Sequence, residues 1–237
     1  QAPRSIISLA LLSPRPVPGV SSPTASFRLP LPNAPTFPYP SRSNIDRFLL
    51  HSSAPPELID KDEFIGRKIG RDRWEACKLM ATERGEAVGI NFSFAGPVCL
   101  TTSAHRLITK AYEIGGPAAQ SALITPIFRS YYEDDLDISD PDVLADAAEE
   151  AAVMPRAEAL SFLNSDECLA KVNHQVAEAR AKGVTGVPFT IIDGKWAVSG
   201  GQSAPVFVKI FSKLAETPAS SPSQSTTPVP ATAVAVA

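Results

Sequence analysis

The chain has 237 residues, a formal net charge of −3 and a mean hydropathy of +0.01. Its charges are interspersed through helical stretches instead of gathered in blocks, which excludes a general polyanion binder, so no nucleic-acid partner is expected. Three scattered cysteines make no disulfide framework, and His51, His105 and His174 stand too far apart for a metal site by spacing. A reducing, cytoplasmic setting follows as the default, with no metal and no cofactor.

Residues 1–60 hold 12 of the 23 prolines and no acid before Asp46, although Arg4, Arg15, Arg28 and Arg42 are present. The run Ser5–Leu12 is apolar but far below the roughly 18–20 residues needed to span a bilayer, so no transmembrane segment is expected. Residues 1–26 are therefore expected to be disordered. Their acid-free, Arg- and Ser-containing composition keeps a mitochondrial transit peptide as the alternative to a cytoplasmic address.

Asp62 to Ile69 reads as a short helix stopped by Gly70, and Arg71 to Glu83 as a second, with Trp74, Cys77 and Ala81 on one face and Gly85 beyond its end. Ile90, Phe92 and Phe94 alternate along an extended segment. Thr101 or Thr102 then caps a helix with a stripe of Ala104, Leu107, Ile108 and Ala111, ended by Gly115-Gly116-Pro117. Ala122 to Tyr132 has helical spacing, and Asp140-Pro141 supplies an N-cap followed by proline at the first helical position. Pro155 opens a helix to Leu163, and Asn164 caps a longer one from Ser165 to Lys182, with Leu169, Val172, Val176 and Ala179 as its buried seam. From Thr217 the tail is uncharged Ser, Thr, Pro, Ala and Val and reads as a disordered extension.

Gly183 to Gly201 is the most informative stretch. Pro188 cannot donate to a sheet ladder and so belongs at the mouth of a strand, and Asp193-Gly194 is a strong hairpin signal between Phe189–Asp193 and Lys195–Ser199. Two strands cannot form a stable sheet alone. The remaining strands must come from upstream, where Ser26-Phe27-Arg28-Leu29-Pro30 is a candidate.

From about Phe64 to Glu216 the chain resembles the DsbA-like thioredoxin family, specifically its FrnE-like branch of thiol-disulfide oxidoreductases. The residues that carry the likeness are Gly186-Val187-Pro188-Phe189, Asp193 to Gln202, Ala104-His105-Arg106-Leu107-Ile108 and Gly89-Ile90-Asn91-Phe92. The resemblance implies an α/β thioredoxin-like fold over 27–216 with a helical insertion at about 62–182; the first strand and helix that the family would place before Phe27 have no match in the acid-free, proline-rich residues 1–26 and are expected to be missing or degenerate. It also implies a cis Val187–Pro188 bond and a substrate-binding loop of Gly186, Val187 and Pro188. Along that loop a thiol- or disulfide-containing peptide or small molecule, glutathione among them, would pair in β fashion.

The family's catalytic Cys-x-x-Cys at the start of the first helix is absent. Cys77, Cys99 and Cys168 are separated by 22 and 69 residues, so none has a resolving thiol within a helical turn, and no catalytic residue is identifiable. His105 is a weak site candidate, more simply a structural histidine, and the family's Asn five residues before it is Leu100 here. Cys99, six residues before His105, has no identifiable orienting Asn or Asp and reads as an inert apolar side chain. The leading function is a DsbA-family thiol-disulfide oxidoreductase that is catalytically incomplete. One alternative is the kappa-type glutathione transferase and hydroxychromene-carboxylate isomerase branch, where a serine replaces the cysteine; Ser21, Ser22 and Ser26 are the candidates. The other is a non-catalytic thiol- or peptide-binding module.

Overall fold

A computed structural model describes residues 4–9, 42–47, 59–192 and 196–216. Its elements in chain order are β1 (Arg4–Leu9), β2 (Arg42–Arg47), β3 (Ile59–Asp60), α1 (Lys61–Ile69), α2 (Arg71–Glu86), β4 (Pro97–Val98), α3 (Thr102–Tyr132), α4 (Pro141–Glu150), α5 (Arg156–Leu163), α6 (Leu169–Ala181), β5 (Phe189–Ile192), β6 (Trp196–Ser199) and α7 (Ala204–Glu216). A four-stranded sheet runs in the order β2-β1-β5-β6, and β3 and β4 form a separate two-stranded ribbon. No helix among the described residues is long and apolar enough to cross a membrane.

In the sheet β1 is parallel to β2 and antiparallel to β5, while β5 and β6 are antiparallel. This is the order of a thioredoxin-like α/β fold with its helices inserted between β2 and β5. Arg4–Leu9 is a central strand, against the expectation of a missing first strand and of disorder at these six residues; 1–3 and 10–26, and with them the first helix, lie outside the described residues. Composition misled because prolines dominate this region while sparing the run itself: Pro3 and Pro14 bracket it, and a short apolar run containing Ile6-Ile7 suffices for a strand flanked on both sides. The second strand is Arg42–Arg47, between Pro40 and Pro55. Ser26–Pro30, the Asp193-Gly194 turn and the tail from Thr217 lie outside the described residues.

The main core belongs to the helices. Leu107, Ile108, Leu123, Ile124, Ile127 and Tyr131 of α3 pack with Leu144 and Ala148 of α4 and Ala159 and Phe162 of α5. Gly115 and Gly116 interrupt α3, as the sequence indicates, but the helix resumes at Pro117, five residues earlier than expected. Gly116, at φ 63° and ψ −152°, occupies a region that is essentially glycine-only. Asp140 caps α4 by accepting from the Asp142 amide. Asn164 is the C-cap of α5 and not the N-cap of the next helix. Ser165 Oγ donates to the Phe162 carbonyl and accepts from the Glu167 amide, so residues 165–168 form a turn and α6 starts only at Leu169. Gly183, at φ 80°, ends α6 in a Schellman arrangement: its amide donates to Arg180 O and the Val184 amide to Ala179 O.

Two polar anchors tie α1 to the rest. Lys61, buried at the start of the helix, donates from Nζ to the Tyr131 carbonyl at 2.8 Å, lies 4.0 Å from the Tyr131 ring centroid and faces the Asp135 carboxylate at 3.7 Å. Burial lowers its pKa, and Asp135 opposes that shift. Asp62 accepts from Lys78 Nζ at 2.6 Å, Trp74 Nε1 at 2.8 Å and Arg71 at 2.5 Å, joining α1 to α2. The hydrogen bond from Lys78 leads the causes that bring the Asp62 pKa down to about 2 from 3.8.

The depressed Asp62 pKa means that its stabilisation is present above the unfolded value and disappears as pH falls from about 4 through about 2. Because the carboxylate is about a third exposed, solvent screening holds that contribution to about 1 kcal/mol. Urea unfolding of Asp62→Asn against the parent chain is expected to show this deficit at pH 7 and no deficit at pH 2. Gly85, expected beyond the end of its helix, lies inside α2. A Cβ there would sit 2.6 Å from Ile90 O and 2.7 Å from the Phe92 ring. Helix propensity favours Gly85→Ala by about 1 kcal/mol. The collision with backbone opposes it by about 1–3 kcal/mol, so thermal unfolding is expected to show a net loss.

Candidate functional site

The loop between α6 and the sheet is set by packing at both ends. Val187 and Phe189 pack on Ala179 of α6 and on Val184. The Pro188 carbonyl accepts from the Gly200 amide at 2.9 Å, which closes the mouth of the β5–β6 hairpin. The Val187–Pro188 peptide bond is cis. Gly186, Val187 and Pro188 are all half-buried, and a side chain built at Gly186 would meet nothing within 4 Å among the described residues. Among these residues no hydrogen bond engages the Val187 amide or carbonyl.

Strand register puts this loop at the end of the central strand. The pair Ser8↔Phe189 is the last of the β1–β5 ladder, so the chain leaves β1 at Leu9 alongside Pro188. Leu9 is also paired with Arg47, the last residue of β2. The carboxyl end of β1 therefore lies beside the Val187–Pro188 loop, with that of β2 one strand further on, and such strand ends are where open α/β sheets bind their ligands. Neither Leu9 nor Arg47 was singled out from sequence. The signal that could have found Leu9 was the apolar run between Pro3 and Pro14, whereas Arg47 stands in the polar stretch Arg42–Arg47, which carries no such run. Residues 10–41, which follow β1, contain no cysteine and lie outside the described residues.

His105 is elsewhere, in the interior of α3. It is 1% exposed, its Nδ1 stands 2.7 Å from Thr101 O, and its own carbonyl accepts from Thr109 Oγ1. The neighbouring Arg106, which the sequence reading left without a role, is also buried. It donates to the main-chain carbonyls of Phe162, Leu163, Ser165 and Glu167 and lies over the Phe162 ring.

All three cysteines are free. Cys99 is buried, and burial together with the Asp137 carboxylate pushes its thiol up to about 12. Cys168, half-buried ahead of α6, donates to Glu113 at 3.7 Å. Burial first, then Glu113 and Glu167, raise its pKa. Cys77 is half-buried on α2. Both shifts, at Cys99 and at Cys168, disfavour the thiolate, and a thiolate is what attacks a disulfide. Glu113, Glu167 and Cys168 bring three ligand atoms within 4.8 Å of one another. Both carboxylates are already engaged, by Lys171 and Lys110.

Residues 75–212 match the family described as DSBA-like thioredoxin domain. No curated protein matches the chain. Among solved structures the chain is similar to a probable DsbA oxidoreductase from Streptomyces coelicolor, at TM-score 0.76 and 23% identity over 94% of this chain and 93% of that one. It is also similar to a 2-hydroxychromene-2-carboxylate isomerase (TM-score 0.61, 14% identity, 89% and 95% covered). A third is a candidate protein disulfide isomerase from Nitrosomonas europaea (0.62, 14%, 90% and 97%). With more than half of its length in the family match and the loop, sheet order and helical insertion described above, this chain belongs to the DSBA-like thioredoxin domain family.

Proposed function

We propose that the protein binds a thiol- or disulfide-bearing substrate, either glutathione or an extended peptide, along the Val187–Pro188 loop. We further propose that the 237 residues by themselves do not run a dithiol cycle. The observation that carries this reading is the register Ser8↔Phe189, which sets the loop beside the carboxyl end of β1. A bound chain in extended form would find the Val187 amide and carbonyl for β-type hydrogen bonds and open space over Gly186. The family supports thiol chemistry as the substrate class. Against a dithiol cycle stand Cys99 and Cys168, both held protonated, and a β1–β2 connection without cysteine.

A second reading, a glutathione-dependent isomerase or transferase with a hydroxyl in place of the thiol, is favoured by one observation. The cysteine-free connection after β1 contains Ser13, Ser21, Ser22 and Ser26.

The thiol environments predict an order of labelling. With iodoacetamide at pH 8 the native protein is expected to label Cys77 first, Cys168 more slowly and Cys99 not at all, and all three are expected to react in urea; peptide mass mapping reads the result. Rapid native labelling of Cys99 would contradict its assigned burial and protonation. Function is tested by assays of insulin reduction and of dithiol oxidation, both expected to show no turnover by this chain. Titration with reduced glutathione is expected to shift the backbone amide resonances of residues 184–190 and not those of α4. Turnover that Cys77→Ala, Cys99→Ala or Cys168→Ala abolishes would overturn the non-redox part. Shifts located away from the loop would overturn the binding part.

A further inference from the structure

We propose that Arg106 is a positioning residue for the Val187–Pro188 loop: by holding the α5–α6 turn it fixes where α6 begins, and α6 delivers the loop to the sheet. This rests on the binding reading above.

The guanidinium of Arg106 is 6% exposed, and the bonds recorded for it go to carbonyls, not to a carboxylate. Two of them, Phe162 and Leu163, are the last carbonyls of α5, where the regular ladder runs out; Phe162 O also accepts from the Ser165 amide and hydroxyl. The other two, Ser165 and Glu167, belong to the turn that precedes α6. One planar fork thus fastens the end of one helix and the approach to the next onto α3. The same face of α3 continues with Lys110, which pairs with Glu167, and Glu113, which accepts from Lys171 Nζ at 2.6 Å. The start of α6 is therefore held from α3 over two helical turns.

What α6 then carries is the loop. Val172, Val176 and Ala179 are its buried residues, and it packs on both α3 and β2. Its far end closes through the Gly183 and Val184 amides, and Ala179 with Val184 seats Val187 and Phe189. Thirteen helical residues span about 20 Å, so Arg106 acts through a rigid rod and does not touch substrate. A lysine offers one point charge in place of five forked donors, so it cannot hold the four carbonyls together.

The test compares Arg106→Lys and Arg106→Gln with the parent chain at a temperature where urea curves show all three fully folded. Two quantities are read: the dissociation constant for reduced glutathione by calorimetry, and hydrogen exchange of the Val184 amide against the Leu123 and Ile124 amides of α3. The expected result is affinity weakened between about 2-fold and 30-fold, with faster exchange at Val184 and unchanged exchange at the α3 amides. A merely structural arginine would speed all three amides together or leave binding untouched, and either outcome overturns the proposal. Should Arg106→Gln fail to fold, Arg106→Lys retains the charge and decides the matter alone. If the parent chain does not bind glutathione, that half of the functional reading fails, and Val184 exchange that stays unchanged in both variants still overturns the role of Arg106. If it binds and the variants bind equally well, only the role of Arg106 fails.

Discussion

The pairing of β1 on both of its edges is the constraint on which the arrangement depends. Without Arg4–Leu9 the sheet would fall into a single strand and a two-stranded hairpin, and an isolated hairpin is marginal in water. With it, the parallel β2 and the antiparallel β5 are locked to one register. A slip of a single residue would turn every side chain of β1 to the opposite face. The same register sets which residue of β1 lies next to Pro188.

The helical body solves a different problem. Its core is apolar and continuous, yet Lys61 and Arg106 are buried at its margins. Each is tolerated because it meets polar acceptors there: main-chain carbonyls for Arg106, and the Tyr131 carbonyl, the Tyr131 ring and Asp135 for Lys61. Burying a charge is unfavourable by several kcal/mol unless it is hydrogen-bonded. Such residues therefore specify which helix ends meet and add little net stability. The exposed pairs, such as Arg129–Glu150 and Arg156 with Asp142 and Asp146, are screened by water and decorate α3, α4 and α5 without deciding their packing.

The chemistry follows from the same division of roles. A thioredoxin-type site needs a groove that aligns the substrate and a thiolate that attacks it. The Val187–Pro188 loop is the part of this chain we propose for the first role, whereas Cys99 and Cys168 sit in the helical body, where burial and neighbouring carboxylates oppose ionisation. Both of those effects raise a thiol pKa, so they act against reactivity at Cys99 and Cys168 together. Cys77, Cys99 and Cys168 thereby lie in the helical part of the chain, apart from the Val187–Pro188 loop in sequence and in element.

The sequence by itself determined what short-range chemistry decides. Helix periodicity, the Asp140-Pro141 cap, the Gly70 and Gly183 stops and the break at Gly115-Gly116 were legible because each depends on residues within a turn or two of one another. Gly186-Val187-Pro188-Phe189 marked the loop in the same local way. Only the tertiary structure decided the rest. Arg4–Leu9 becomes a strand because β2 and β5 supply partners far along the chain, which local composition cannot register beneath twelve prolines. Asn164 ends one helix instead of starting another because Ser165 and Arg106 claim the turn after it. Arg106 gains its four carbonyls from residues 56 to 61 positions away, and Gly85 must lack a side chain because Phe92 folds back on it. Long-range contacts of this kind depend on loop closure and packing, and no window of neighbouring residues contains them.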